Sequence, residues 1–270
     1  KRLSTVVCTK TKSTALHLAI RNKCKTKHIS EVINCLKHVE DRASVLQLQD
    51  SQGETVLHLA ALQSKGAPLL QCLLDPIKDN SQCLFDTLEV RSHRDQQTFL
   101  HTIAEQSVLN PAVVDRAIEV VRTLNEKASE FLKIQNERKQ TAVHLAALDI
   151  NNEQNQMVFT KILECAAAFG LEVLEMKDVD GNTALHLAAR SSLPVAGIAI
   201  EKLLQSENVS DEKLKEMMKL RNKESDSIFH VAVGTGMEVS PDSSIMPSHE
   251  MVSKRALSLD KMLGIGRAHV

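Results

Sequence analysis

One short pattern occurs six times along the chain, and no other feature restricts the possible folds as strongly. It reads Thr-Ala-Leu-His-Leu-Ala at residues 14–19 and 183–188, and the related copies keep a Thr or Ser three residues ahead of a histidine. The histidines are His17, His58, His101, His144, His186 and His230, spaced 41, 43, 43, 42 and 44 residues apart. Self-similarity at a nearly constant period is typical of stacked repeats, which have no single central core. The sequence therefore predicts an elongated solenoid rather than one large domain or two ordinary ones.

Each repeat continues with a second apolar stripe at the i, i+3, i+4, i+7 spacing of a helix, as at residues 29–36. A return segment follows, in which apolar residues precede an Asp or Asn, as at residues 45–50. Its alternation predicts a short extended arm that ends in a turn, where Gly53 and Gly181 tolerate a positive φ. The expected unit is helix, loop, helix and return arm, with one further helix at residues 210–218 of the fifth repeat.

The run Asp-Val-Asp-Gly-Asn-Thr-Ala-Leu-His-Leu-Ala-Ala at residues 178–189 resembles the turn and first helix of the ankyrin repeat. The resemblance covers about residues 9–236 and implies an all-α, ankyrin-type solenoid of helix-pair repeats with short β-turn or hairpin connections. There are two departures from the family pattern. The Pro that usually follows the Thr is replaced, which predicts a less firmly fixed start of the first helix. The period also exceeds the usual 33 residues by roughly nine.

The repeat pattern also sets the expected domain boundaries. The predicted ankyrin-repeat domain spans residues 1–236, with units at about 9–49, 50–91, 92–135, 136–177, 178–221 and 222–236. A loop is predicted at 237–248, and an apolar pattern predicts a helix at 249–264 that caps the end of the stack. Because the chain begins with Lys1 rather than Met, we expect it to be a segment of a longer protein.

Histidine and cysteine are common catalytic and metal-binding residues, but their pattern here predicts structural roles. The six repeated histidines share one register, and we expect their rings to bond the backbone of a neighbouring turn. A zinc site needs four ligands that converge on one point. The cysteines are interpreted as small buried hydrophobic residues in a reducing compartment; they are Cys8, Cys24, Cys35, Cys72, Cys83 and Cys165. No nucleophile-elbow or phosphate-binding motif is present, so we predict no catalytic residue, cofactor or metal in this segment.

The distribution of charge points to the kind of partner. Residues 1–30 hold eight Lys or Arg and no Asp or Glu, so the remaining chain has 25 basic and 34 acidic residues, a net charge of −9. The basic end either meets an acidic partner or is simply solvated. Nucleic acid is not expected, because the chain has six Phe and no Tyr or Trp to stack on bases. Without a run of 18 apolar residues no membrane span is predicted, and we expect an intracellular, cytoplasmic or nuclear, monomeric protein.

The resemblance to ankyrin repeats implies that partner contacts come from residues that flank the turn and follow the Leu-Ala run, on the concave side. They are Ser51, Gln52, Glu54, Leu62 and Gln63 in the second unit, Glu137, Arg138, Gln140, Leu148 and Asp149 in the fourth, and Val179, Asp180, Asn182, Arg190 and Ser191 in the fifth. These positions vary between units while the Thr, Leu, His and Ala positions do not. The alternative interpretation is that the variable residues merely face water.

A narrower resemblance concerns residues 131–146 and 178–189, which are similar to consecutive repeats of IκB-type inhibitors of Rel/NF-κB factors. It implies a regulator that masks a Rel-type transcription factor by covering a basic tract. The Asp-Ser-Gly motif and the acidic tail of that family are missing. The alternative is an ankyrin adaptor, or a segment of a bacterial effector, that recruits a different protein and has any catalytic domain outside this segment.

Overall fold

The computed structural model describes residues 8, 11–35, 38–63, 66–106, 111–148, 150, 153–191, 193–204, 206 and 208–234. The predicted loop at 237–248 and the predicted capping helix at 249–264 lie outside these residues. Within them the chain is helical and contains no strand, and an isolated bridge joins Arg221 to Ser227. The predicted all-α solenoid is thereby confirmed.

The helices follow one another in groups that recur with the repeat. They are α1 (Ala15–Arg21), α2 (Thr26–Asn34) and α3 (Val39–Leu46); α4 (Val56–Ala61), α5 (Gly66–Leu74) and α6 (Ser81–Leu88); α7 (Phe99–Glu105), α8 (Pro111–Thr123) and α9 (Lys127–Leu132); α10 (Ala142–Leu148), α11 (Glu153–Phe169) and a 3₁₀ helix (Leu171–Leu174); α12 (Ala184–Ser191), α13 (Leu193–Leu204) and α14 (Asp211–Lys219); and α15 (Ile228–Gly234). The first helices α1, α4, α7, α10, α12 and α15 pack in one row, and the second helices α2, α5, α8, α11 and α13 pack in another. Each unit is thus a layer of the stack.

A third helical segment in each of the first five units corrects the expected architecture. The sequence predicted one such helix, in the fifth unit, and α14 confirms it. In the other units the segment expected to be an extended arm begins inside a short helix. In α9, for example, Ala128, Phe131 and Leu132 are buried at the i, i+3, i+4 spacing of a helical face. The extra residues beyond the usual ankyrin length therefore go largely into these third helices.

The core is a continuous layer between the rows of helices. Alanines such as Ala60, Ala147 and Ala188 are fully buried on the first helices, and their small side chains let neighbouring helices approach closely. Larger rings are confined to a few sites, as where Phe99 and Phe131 stack with centroids 6.0 Å apart. The scarcity of aromatic residues follows from this close stacking of thin layers.

Ion pairs connect successive second helices on the surface of the stack. Asp75, directly after α5, pairs with Arg116 of α8, and Asp115 of α8 pairs with Lys161 of α11. Each such surface pair adds at most about 1 kcal/mol, so apolar packing holds the layers together and the pairs fix their register.

The cysteines only partly match their interpretation as buried hydrophobic residues. Cys165 is buried, and burial raises the pKa of its thiol to about 11. Cys72 and Cys83 are half-buried, whereas Cys8, Cys24 and Cys35 are exposed, which corrects the interpretation for these three. The exposed ones lie at loops and helix ends of the first unit. None of the six cysteines, all of them among the described residues, forms a disulfide.

Candidate functional site

The repeated histidines link each unit to the turn of the next. In the third unit the Nδ1 atom of His101 accepts a hydrogen bond from the backbone N–H of Thr98 at 3.3 Å, so the ring proton lies on Nε2. That Nε2 donates to the carbonyl of Gln140, 3.1 Å away in the next unit. His17, His58, His144 and His186 make the equivalent bonds to Glu54, Gln97, Asn182 and Asp226. The predicted structural role of these rings is confirmed.

Burial disfavours the charged form of these rings. It lowers the pKa of His101 to about 4, although the carbonyl of Gln140 partly opposes that shift. It also lowers the pKa values of the other four rings, those of His17, His58, His144 and His186. Neutral rings whose two nitrogens are both engaged are poor general bases and poor metal ligands. Among the described residues, no group of three or more His, Cys, Asp or Glu is placed to hold a metal ion.

The turns between units have one geometry, set by an Asp or Asn side chain. In the fourth unit the Oδ1 atom of Asn136 accepts from the backbone N–H groups of Arg138 and Gln140, both at 2.9 Å. Asp50, Asp178 and Asn222 do the same in their own turns. Each turn then needs a residue of positive φ two positions before the Thr or Ser. These residues are Lys12, Gly53, Gln96, Lys139, Gly181 and Ser225, with φ between 51° and 79°.

Backbone hydrogen bonds join the tips of successive turns. The N–H of Val179 donates to the carbonyl of Arg138 at 3.0 Å, and the N–H of Lys223 donates to that of Asp180 at 3.1 Å. Equivalent bonds join Ser51 to Thr11, His93 to Gln52, and Glu137 to Asp95. The turns therefore form a connected edge along the stack, in which each tip is held by its neighbour.

A second line of bonds runs beside the turns and was not anticipated. The residue before each turn Asp or Asn, or before Ser92 in the third unit, has a long side chain with an N–H donor, which reaches the carbonyl of its counterpart in the next unit. Gln49 donates to Arg91, Arg91 to Gln135, Gln135 to Lys177, and Lys177 to Arg221, at 2.7, 3.4, 3.3 and 2.7 Å. The variable position of the return segment could have shown this, since only Gln, Lys and Arg occupy it in the four regular units.

Most of the predicted partner-contact residues lie on one surface, made by the turn tips and the open side of the first helices, here called the turn–helix surface. Eight of them are exposed: Ser51, Gln52, Leu62, Glu137, Arg138, Leu148, Val179 and Asp180. Arg190 is exposed as well, while Glu54, Gln63 and Ser191 are half-buried. Asp149 lies outside the described residues. Of these side chains Leu62, Leu148 and Val179 are notable, because they expose apolar surface.

Two of the predicted contact residues, Gln140 and Asn182, are buried although they border the two grooves described below. Gln140 is only 6% exposed, and its carbonyl and backbone N–H are used by His101 and Asn136. Asn182 is 8% exposed, and its Oδ1 atom accepts from the side chain of Asn222 at 3.1 Å. Both occupy the position just before the Thr, where the chain turns inward to begin the first helix. Their side chains stabilise the turn and leave little surface for a partner.

Two grooves open onto the turn–helix surface. One, of about 350 Å³, lies between the third and fourth units and is lined by Arg94, Asp95, Glu105, Glu137, Arg138, Leu145 and Leu148, among others. The other, of about 600 Å³, lies between the fifth and sixth units and is lined by Asp180, Arg190, Lys223, Glu224, Asp226 and Val231, among others. Arg94, Asp95 and Glu105 are not among the contact residues predicted from the sequence, which belong to the second, fourth and fifth units. The signal that would have found Glu105 is its position four residues after a repeated histidine.

Comparisons with known proteins agree with this geometry. No protein-family model and no curated protein matches the sequence. The structure is similar to that of EF0377, an ankyrin repeat protein, with 15% sequence identity, 82% of this chain and 92% of that chain covered, and a TM-score of 0.57. It is also similar to the ankyrin repeat domain of Bcl-3, a member of the IκB family, with 16% identity, 82% and 94% covered, and a TM-score of 0.46.

A third similar structure is the complex of Bd0816, a predatory endopeptidase from Bdellovibrio bacteriovorus, with the immunity protein Bd3460. The identity is 20%, with 74% of this chain and 93% of the matched chain covered, and the TM-score is 0.42. Structural similarity at less than 25% sequence identity is evidence about the fold alone. Together with the layered helices and the linked turns, the likeness to EF0377 shows that this chain has the ankyrin-repeat fold.

Proposed function

We propose that the chain is a non-enzymatic module that binds a partner protein on its turn–helix surface. The observation that carries this proposal is that the buried and the exposed residues of each unit differ in how much they vary. The Thr and His of the repeat are buried and bonded in the same way in the regular units, whereas the exposed residues at the turn tips differ from unit to unit. A fixed scaffold that presents variable side chains is suited to recognising an extended protein surface.

The linked turns support the same proposal, because binding costs less when the contact residues are already held in place. Each tip is fixed by an Asp or Asn side chain from within its unit and by a backbone bond to the neighbouring tip. The exposed apolar side chains of Leu62, Leu148 and Val179 lie on this surface, where a partner would remove them from water.

The finer proposal is that the partner is a Rel-type transcription factor and that the chain acts as an IκB-like regulator. Its support is the sequence resemblance of residues 131–146 and 178–189, together with the net charge of −9 beyond residue 30, which suits a basic tract on the partner. The second candidate is an adaptor, or an effector segment, that recruits a protein of another family. Both candidates use the same surface, and they differ in what is captured.

Capture from nuclear and cytosolic extract tests the proposal with three forms of the chain. The first is the unaltered chain, and the second carries the turn-tip substitutions Arg138→Glu and Asp180→Arg. The third carries Glu31→Arg on the exposed side of α2 as a matched charge control. We expect the first and third forms to capture one set of proteins that the second form loses. Equal capture by all three forms would exclude the turn–helix surface.

The identity of the captured set decides the finer proposal. Rel-family proteins as the main species support the IκB-like regulator, and any other main species supports the adaptor. Capture should also weaken as the salt concentration rises, because an acidic surface that meets a basic tract is screened. Capture that does not change with salt would contradict the charge argument.

A further inference from the structure

Three consecutive first helices present one row of side chains to solvent. The row consists of the residues four positions after the repeated histidine in the second, third and fourth units: Leu62, Glu105 and Leu148. Each lies at the carboxyl end of its helix, and all three are exposed, the two leucines by 41% and 45%. Because the units share one register, the row runs along the stack in the order apolar, acidic, apolar.

The carboxylate in the middle of the row is held in position. An oxygen of Glu105 accepts from the side-chain amide of Gln97 at 3.0 Å, and the carbonyl of Gln97 accepts from His58 at 3.0 Å. Gln97 is itself buried, so its hydrogen bond restricts the carboxylate of Glu105 to one position. An acidic group fixed in this way can select for charge in whatever lies opposite it.

Acidic residues outnumber basic ones among the described residues that line the groove around Glu105. The groove that it lines also contains Asp95 and Glu137 as acids, and Arg94 and Arg138 as bases. Arg94 lies beside Asp95, with 3.8 Å between the guanidinium Nε and the carboxylate. The described lining of the groove therefore has one more acidic than basic residue. A cationic side chain from a partner would neutralise this extra negative charge, whereas an anionic one would be repelled.

In the first unit the equivalent position is occupied by an ion pair within the chain. The equivalent residue there is Arg21, whose guanidinium pairs with the buried carboxylate of Asp50 and lies 3.5 Å from Glu54. Arg21 thus serves to join the first unit to the second. At the other end Arg190, the equivalent residue of the fifth unit, is exposed and continues the row beyond Leu148. The order apolar, acidic, apolar is therefore that of the three central positions.

The spacing of the row sets the spacing required of a partner. Neighbouring packed helices lie about 8–10 Å apart. A polyproline II segment rises about 3.1 Å per residue with three residues per turn, so that every third side chain points the same way, about 9 Å apart. An extended segment can therefore place residues i, i+3 and i+6 opposite three successive units.

We propose that Leu62, Glu105 and Leu148 bind an extended segment of a partner protein in which an apolar residue, a Lys or Arg, and a second apolar residue follow one another at three-residue intervals. The apolar residues cover the two leucines, and the cation meets Glu105 in the groove. This inference rests on the proposed function and specifies what part of the partner is recognised.

Synthetic peptides test the inference directly. The first is a fluorescent, proline-containing peptide with Leu, Lys and Leu at positions i, i+3 and i+6. A second has Glu in place of the Lys, and a third has the same composition with the Lys moved by one position. We expect the unaltered chain to bind the first peptide about threefold more tightly than either of the others, the size expected for one solvent-accessible charge pair.

Variants of the chain identify the residues responsible. Glu105→Gln keeps an acceptor for Gln97 and removes the charge, so it should abolish the preference for Lys over Glu. Leu62→Ser and Leu148→Ser should each weaken the binding of the Lys and Glu peptides alike. Val32→Ser is the control, because Val32 on α2 is 39% exposed, close to the exposure of the two leucines. It should leave the binding of every peptide unchanged. Circular dichroism melting curves verify that each variant is folded.

The outcomes separate this inference from the proposed function. If no peptide binds, or if Glu105→Gln keeps the full preference for Lys, the row does not bind such a segment. In that case capture that depends on Arg138 and Asp180 would leave the proposed function standing. Equal capture by the turn-tip variant and the unaltered chain would instead overturn the proposed function, whatever the peptides show.

Discussion

At the start of the first helices, a Thr and a His satisfy each other's backbone groups in the regular units. In α7 the Thr98 side chain and the His101 ring form a reciprocal capping arrangement, with the ring nitrogen accepting from the N–H of Thr98. The sequence predicted a weakened helix start, because the Pro usual after the Thr is missing. The histidine caps this start without the Pro, since it closes the first turn from inside the helix and binds the next unit as well.

The buried rings make folding stability depend on pH in a definite direction. His101 has a pKa of about 4 in the folded chain and about 6.5 when unfolded, so below pH 6.5 the unfolded chain binds the proton more readily. Its contribution is fully present above pH 6.5 and is lost as the pH falls toward 4. The shift corresponds to about 3 kcal/mol for this residue. The lowered pKa values of His17, His58, His144 and His186 act in the same direction.

Denaturant titrations at pH 7.5, 6.5 and 5.5 measure this dependence, since acidic side chains titrate mostly below that window. We expect the stability of the unaltered chain to change little between pH 7.5 and 6.5 and to fall between pH 6.5 and 5.5. His101→Gln should lower stability at pH 7.5 and make the slope between pH 6.5 and 5.5 shallower. His28→Gln, at an exposed position of α2, should reproduce the unaltered slope. A slope that His101→Gln leaves unchanged would show that this ring does not resist protonation.

At the scale of the element, the turn is as strongly specified as the helices. Its position of positive φ is glycine in the second and fifth units and a larger residue in the others. A Cβ atom on Gly181 would approach the backbone nitrogen of Lys223 to 2.8 Å, so this glycine is needed for space as well as for φ. Lys139 accepts the same conformation at φ 55°, at the steric cost of a side chain in the left-handed region.

Opposite substitutions at these two positions should have opposite effects. Gly181→Ala should lower the free energy of unfolding by about 1–2 kcal/mol, because it adds left-handed strain and a close approach to the next turn. Lys139→Gly should raise it by about 0.5 kcal/mol, since the relief of strain is partly offset by the greater freedom of glycine in the unfolded chain. Thermal melts of both variants measure the difference. A stabilising Gly181→Ala would contradict the turn geometry.

The elements differ in how far the sequence determines them by itself. The first helices and the turns were predictable, because Thr141, His144 and Asn136 act through bonds within a few residues of one another. The third helices were not, apart from α14. Phe131 and Leu132 fit an extended arm as well as a helix when the stretch is so short, and only their packing against the stack selects the helix.

Prediction of the candidate site met a similar limit. Exposure at the turn tips follows from the repeat pattern, so Arg138 and Asp180 were placed correctly on the surface. Gln140 and Asn182 were not, because their burial arises from the chain of the following unit or from the inward path of their own turn. A sequence pattern within one unit does not predict burial that results from contacts with another unit.

For the whole molecule, stability is a sum over layers and the contacts between them. The first helix α10 packs between α7 and α12, whereas α1 packs against α4 alone among the described first helices. Equivalent side chains show the consequence, since Leu18 of α1 is 43% exposed while Leu145 of α10 is 5% exposed. The first unit therefore loses fewer contacts when it opens than a central unit does.

Hydrogen exchange should reveal this gradient. We expect the backbone amides of α1 to exchange at least about tenfold faster than those of α10, after correction for intrinsic rates, because local opening at an end costs less free energy. Mass spectrometry of peptides that cover residues 15–21 and 142–148 measures both. Equal protection of the two helices would mean that the stack opens as one unit and that its layers are not energetically separable.

The histidine bonds also give the stack a direction. Every shared ring proton points from one unit toward the carboxyl-terminal neighbour, as from His101 to Gln140 and from His144 to Asn182. Removing units from the carboxyl end would thus leave a ring N–H without its carbonyl, whereas removing them from the amino end would leave a carbonyl without its ring N–H. A shortened version of this protein therefore exposes an unpaired donor at one cut and an unpaired acceptor at the other.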